Sequence, residues 1–260
     1  MTRILTITNQ KGGVGKTTTT INLASALKHQ GYKVLIIDMD PQGNLSFCAN
    51  AETVLSATIY EVLKGEVKLQ HAIQRTAIID IVAANILLSG IEMEYTQSGR
   101  EFLLRNALQN IRPYYDYILI DTPPGLGILT INAMSACNGI LIPMVADIFS
   151  LQGITQLHET VQQVRKYSNP NCTIEGVILN KYNDRVYLNR EVKGTAELVL
   201  NDLKLKLFDT SIRSSIKVAE AQSSQQDLFD LIKQGDVAQD YLNLVKEILQ
   251  GETHVQQSHN

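Results

Sequence analysis

Six short apolar runs constrain this chain more than any other feature: Ile4 to Thr8, Val34 to Asp38, Ile78 to Ala83, Tyr117 to Asp121, Ile140 to Val145 and Gly176 to Asn180. None alternates apolar with polar residues, so none reads as a strand with one wet face. Strands covered on both faces have this signature, and helical patterns between most of the runs supply the right-handed crossovers that parallel pairing needs. The expected class is α/β: a doubly wound, mostly parallel sheet with helices on both faces.

Three helices are legible between and after the strands. Thr17 to Gln30 carries Ile21, Ala24 and Leu27 at helical spacing and ends at Gly31, a suitable C′ residue. Glu101 to Ile111 repeats the pattern before Pro113, and Asp236 to Leu249 places Tyr241, Leu244, Val245 and Ile248 on one face. No repeat, linker or internal boundary interrupts the chain. The expected organisation is therefore one domain over 1–250, with 251–260 a polar, flexible tail.

The 260 residues are 44% hydrophobic and 19% charged, which excludes a disordered or fibrous chain. Between Thr122 and Ala146 there is no charge at all. Pro123, Pro124, Gly125, Gly127 and Pro143 break that stretch, so it reads as a buried helix between two buried strands rather than a membrane span. Cys48, Cys137 and Cys172 show no metal or disulfide spacing, and the opening residues lack signal-peptide character, which predicts a reduced, cytoplasmic protein.

The strongest chemical signal is Gln10-Lys11-Gly12-Gly13-Val14-Gly15-Lys16-Thr17-Thr18, between the first strand and the first helix. Glycines let backbone N–H groups turn inward on a polyphosphate, and the helix N-terminus adds partial positive charge. Lys16 is placed to reach the β/γ oxygens and Thr17 to hold Mg²⁺ through its hydroxyl. Gln10 stands where the usual phosphate-loop pattern has glycine, and Lys11 adds a second lysine. Three carboxylates lie at strand ends: Asp121, where a Mg²⁺ partner belongs, and Asp38 and Asp40 after Val34.

With Lys11 to Ala24, Val34 to Asn44, Tyr115 to Ala133 and Ile212 to Ala221 taken together, the chain resembles the ParA/Soj/MinD group of P-loop ATPases with a deviant Walker A motif. Within it, the chain is most similar to the ParA proteins that partition chromosomes and plasmids. The resemblance implies ATP and Mg²⁺ as cofactors, with Gly12, Gly13, Val14, Gly15, Lys16, Thr17 and Thr18 around the phosphates. It implies that Lys11 crosses a homodimer to the partner's nucleotide, that Asp40 positions the attacking water, and that Asp38 and Asp121 serve the metal through water. Asn180 takes the place of an adenine-reading side chain. The segment Ser211 to Lys217 lacks the proline the family commonly places there, which alters the second wall of the adenine pocket.

The formal charge of −3 gives no global attraction to polyanions. From Lys181 to Lys217, however, eight basic and five acidic side chains leave a net of +3, against −6 for the remainder. The resemblance implies non-specific DNA binding there, with Arg185, Arg213 and Lys217 as contacts, nucleoid association, and a ParB-like centromere-binding partner. A MinD-like membrane role is the alternative. The terminal helix, with Asp236, Asp240 and Glu247 against Lys246, predicts no attraction to anionic lipid.

Overall fold

Hydrogen bonding joins seven strands into one sheet in the computed structural model, which describes residues 2–94, 96–232 and 235–257, the side chains of 92, 148 and 252–257 excepted. The strands are β1 (Arg3–Ile7), β2 (Val34–Asp38), β3 (Ile73–Arg75), β4 (Asp80–Val82), β5 (Tyr117–Asp121), β6 (Gly139–Val145) and β7 (Thr173–Asn180). Their order is β3-β4-β2-β5-β1-β6-β7, and every pairing except β3 with β4 is parallel. The short antiparallel edge strand β3 has no counterpart in the sequence reading. Of the run Ile78 to Ala83, the strand occupies only Asp80–Val82.

Six helices of eight or more residues flank the sheet among the described residues: α1 (Lys16–His29), α2 (Ile128–Ala136), α3 (Ile148–Tyr167), α4 (Tyr187–Asp202), α5 (Ile216–Ser223) and α6 (Asp236–Gln257). The absence of alternation in the strands now has its cause. Leu5, Ile7, Ile36, Leu119, Leu141 and Ile178 face Leu23 and Leu27 of α1 and Tyr241 and Leu244 of α6. Their neighbours Ile4, Leu35, Ile37, Ile118, Ile120 and Ile142 face Met134, Leu157, Val161 and Ala196 of α2, α3 and α4. Each such side chain, fully buried, contributes about 1.5–3 kcal/mol, so a polar residue on either face would be costly.

Two helix boundaries differ from expectation. The segment from Glu101 is helical only as a 3₁₀ turn, Arg100–Phe102, followed by Leu103–Ala107. Asn132 of α2 accounts for this, accepting the N–H of Leu104 at 3.1 Å and donating to the carbonyl of Arg100 at 2.8 Å. Helix α6 runs to Gln257, about two turns past Leu249. The uncharged stretch after Thr122 forms α2 and then β6, and no helix among the described residues is long and apolar enough to cross a membrane.

Candidate active site

The interior strand β1 delivers its chain end to the carboxyl edge of the sheet, where a glycine loop carries it into α1. Gly13 and Gly15 hold positive φ, 75° and 91°, a region that L side chains enter only with strain. Gly15 is also the N-cap of α1 and offers no side chain to the first-turn N–H groups, which leaves them for an anion. A Cβ at Gly15 would lie 2.7 Å from the Asn180 amide nitrogen, so the loop sits directly on the end of β7. Asn9 braces the entry, accepting the Lys11 N–H at 3.0 Å and donating to the Pro143 carbonyl at 2.8 Å.

Lys16 folds back under this loop and donates to the carbonyl of Lys11 at 3.1 Å. Burial lowers its pKa, while the nearby carboxylates of Asp121 and Asp40 oppose that shift. Thr17 donates its hydroxyl proton to Asp121 at 2.6 Å, and Thr20 approaches the other oxygen at 3.4 Å. With its proton committed, the Thr17 oxygen keeps lone pairs for a cation.

Asp38 and Asp121 are register partners on β2 and β5 and are fully buried. Burial, then the charge of Asp38, raises Asp121 well above the ordinary carboxylate value. Burial likewise raises Asp38 to about 6, although Ser46 and the Asp40 backbone hydrogen-bond to it. Two buried carboxylates beside one lysine leave an excess of negative charge that a divalent cation offsets. The donor set therefore fits Mg²⁺ beside a polyphosphate. Asp40 lies just beyond β2 and is 8% exposed; its Oδ1 accepts the Gln42 N–H at 2.9 Å.

Lys11 is held differently from Lys16. Its ammonium stands 2.6 Å from Asp147 and 5.9 Å from the Phe149 ring, on the outer rim of the loop. Asp147 also caps α3 by accepting the N–H of Ser150 at 3.0 Å. Against the opposing effect of burial, the bonds from Lys11 and Ser150 hold its pKa below the ordinary range. The sequence reading missed Asp147, Asn9 and Ser46. Only Asp147 left a local trace, an Asp-x-x-Ser cap immediately after an apolar strand.

Asn180 is buried, and its amide donates to the Val14 carbonyl and the Thr19 hydroxyl, each at 2.9 Å. Its Oδ1 is buried without a partner among the described residues. Arg185 and Arg213 both line an open cavity of about 910 Å³. Arg213 makes a two-pronged contact with Asp240, at 2.8 and 2.9 Å, and reaches Asp236 at 2.9 Å. Lys217 pairs with Glu220 at 2.7 Å on the exposed face of α5.

A mostly parallel sheet whose interior strand β1 enters a glycine loop capping α1, with a buried lysine, a threonine on a strand-end aspartate and a second lysine on the rim, defines a P-loop NTPase with a deviant phosphate loop. A family model described as an AAA domain matches residues 2–174. The chain is 41% identical over 258 residues to "Chromosome partitioning protein ParA" of Caulobacter vibrioides (strain NA1000 / CB15N), covering 96% of this chain and 95% of the relative. It is 36% identical over 252 residues to "Sporulation initiation inhibitor protein Soj" of Bacillus subtilis (strain 168), covering 95% and 98%. Among solved structures, the septum site-determining protein MinD complexed with Mg-ADP from Pyrococcus horikoshii OT3 is similar at a TM-score of 0.77 and 26% identity, covering 95% and 96%. The chain belongs to the ParA/Soj family of P-loop ATPases.

Proposed function

We propose that this chain is a Mg-ATP-dependent DNA-partitioning ATPase that dimerises on ATP, binds DNA non-specifically in the cytoplasm and is stimulated to hydrolyse ATP by a ParB-type partner. The observation that carries the reading is the contrast between the two lysines. Lys16 is committed to its own loop, whereas Lys11 stands on the rim with its side chain 36% exposed, in an ion pair that a second subunit's phosphates can replace. A lysine supplied in trans stabilises charge on the transferred phosphoryl group much as an arginine finger does, which makes hydrolysis depend on dimerisation and intrinsic turnover slow.

Within one subunit, Lys16 and the first-turn N–H groups of α1 hold the phosphates, and Thr17 and Asp121 hold the metal, with Asp38 behind them. Bound Mg²⁺ neutralises phosphate charge. Asp40 orients the attacking water. The unpartnered Asn180 Oδ1 supports a role as acceptor for the adenine amino group.

For DNA, the exposed Lys217 and the cavity-lining Arg185 are the better phosphate contacts, since exposed pairs such as Lys217–Glu220 exchange partners at little cost. Arg213 contributes less charge because Asp236 and Asp240 already compensate it. A gel-shift series on random-sequence DNA at low salt, with ATP, ADP or no nucleotide, tests the reading. A shift only with ATP is expected; no shift with ATP refutes DNA partitioning.

A further inference from the structure

Ser46, which hydrogen-bonds to Asp38, is fully buried beside the carboxylates in the short helix Asn44–Cys48. Its hydroxyl donates to Asp38 Oδ2 at 2.7 Å, and its backbone N–H donates to the same oxygen at 2.9 Å. The hydroxyl oxygen also accepts the N–H of Ala84, just past β4, at 2.8 Å. One side chain thus ties β2, the end of β4 and the helix after Asp40. The remaining Asp38 oxygen accepts the Asp40 N–H at 3.0 Å.

Asp40 lies outside any strand or helix. It is held in a turn, where its carbonyl accepts the Gly43 N–H at 2.9 Å and Asp38 fixes its own N–H. The chain from Ala84 N–H through Ser46 O–H and the Asp38 carboxylate to Asp40 N–H is continuous, with Asp38 Oδ2 accepting from Ser46 and Oδ1 from Asp40. A carboxylate that must meet a water within a fraction of an ångström depends on such support. We propose that Ser46 is a positioning residue for ATP hydrolysis, fixing Asp38 so that Asp38 in turn holds Asp40 against the attacking water. The inference rests on the ATPase reading above and on Asp40 as the residue that orients that water.

Alanine at 46 removes the donor to Asp38 and the acceptor for Ala84, while threonine keeps both. The full-length chain is assayed for nucleotide affinity and for single-turnover hydrolysis as wild type, Ser46→Ala, Ser46→Thr, Asp40→Ala and the Ser46→Ala/Asp40→Ala double variant. Ser46→Ala is expected to lower the hydrolysis rate about tenfold with nucleotide affinity within about twofold, Ser46→Thr to restore it, and the double variant to be no slower than Asp40→Ala. A Ser46→Ala rate within twofold of wild type beside an inactive Asp40→Ala overturns the inference alone, as does a further full loss in the double variant. Normal hydrolysis by Asp40→Ala removes the assignment on which both stand. Should Ser46→Ala not fold, Ser46→Cys, slightly larger and a weaker donor, is judged by the same limits.

Discussion

Asp38 shows how a single buried carboxyl sets a cost that the rest of the site must meet. Its pKa is raised to about 6, chiefly by burial. A raised value means that its contribution to stability is complete below about pH 4 and is lost as pH rises through about 6, since the ionised form is the one burial disfavours. Urea unfolding of wild type and Asp38→Asn across about pH 4 to 7 measures this. Wild type is expected to lose up to about 3 kcal/mol relative to the variant over that range; a constant difference would assign Asp38 an ordinary value. Mg²⁺ with nucleotide should reduce the loss, because added positive charge favours the carboxylate.

At the scale of elements, α6 is decided by packing. Tyr241, Leu244, Val245 and Ile248 are buried against α1 and the sheet, so the apolar face that a membrane-binding helix would present is already used. Tyr241→Ala is expected to cost about 3–5 kcal/mol in denaturant unfolding, and Tyr241→Phe about 1 kcal/mol. An alanine cost below 1 kcal/mol would show α6 to be loosely docked. Helix α5 is the opposite case, with Ala221 as its one buried residue and polar ties to its neighbours. Gln222 donates to the Thr18 hydroxyl at 3.1 Å, and Gln225 donates to the Phe47 carbonyl at 2.9 Å. Gln222→Ala should therefore speed amide exchange across 216–223 several-fold while α1 stays protected. Unchanged exchange would show that the Thr18 contact does not anchor the helix.

For the whole molecule, the rim pair Lys11–Asp147 links the loop after β1 to the cap of α3, which follows the neighbouring parallel strand β6. Lys11→Ala is expected to leave nucleotide binding within a few-fold and to abolish ATP-dependent dimers in sedimentation, whereas Asp147→Ala, which frees the lysine, should retain them. Dimers from Lys11→Ala would detach this lysine from the partner's nucleotide. The charge balance also belongs to this scale. The basic segment from Lys181 to Lys217 is +3 along the chain, but α6 brings Asp236 and Asp240 to Arg213 and Glu247 to Lys206, at 2.8–2.9 Å. DNA affinity is accordingly expected to be weak per subunit, with a shallow salt dependence for one subunit that steepens in the ATP dimer, and to need two subunits.

By itself the sequence determined the sheet, the phosphate loop and the strand-end carboxylates, because these depend on contiguous residues: apolar runs for strands buried on both faces, and glycines followed by Lys16-Thr17 at a helix start. It located α1 and most of α6 for the same reason, through periodicity within one segment. Only the tertiary structure decided the antiparallel edge strand β3, the shortened helix after Gly99, and the partners of Lys11, Arg213 and Asp38. Those outcomes rest on contacts between residues far apart in the chain, Asn132 with Leu104, Asp147 with Lys11, Asp240 with Arg213 and Ala84 with Ser46. No local pattern encodes such pairs, since each partner's neighbourhood satisfies its own periodicity whichever distant group it meets.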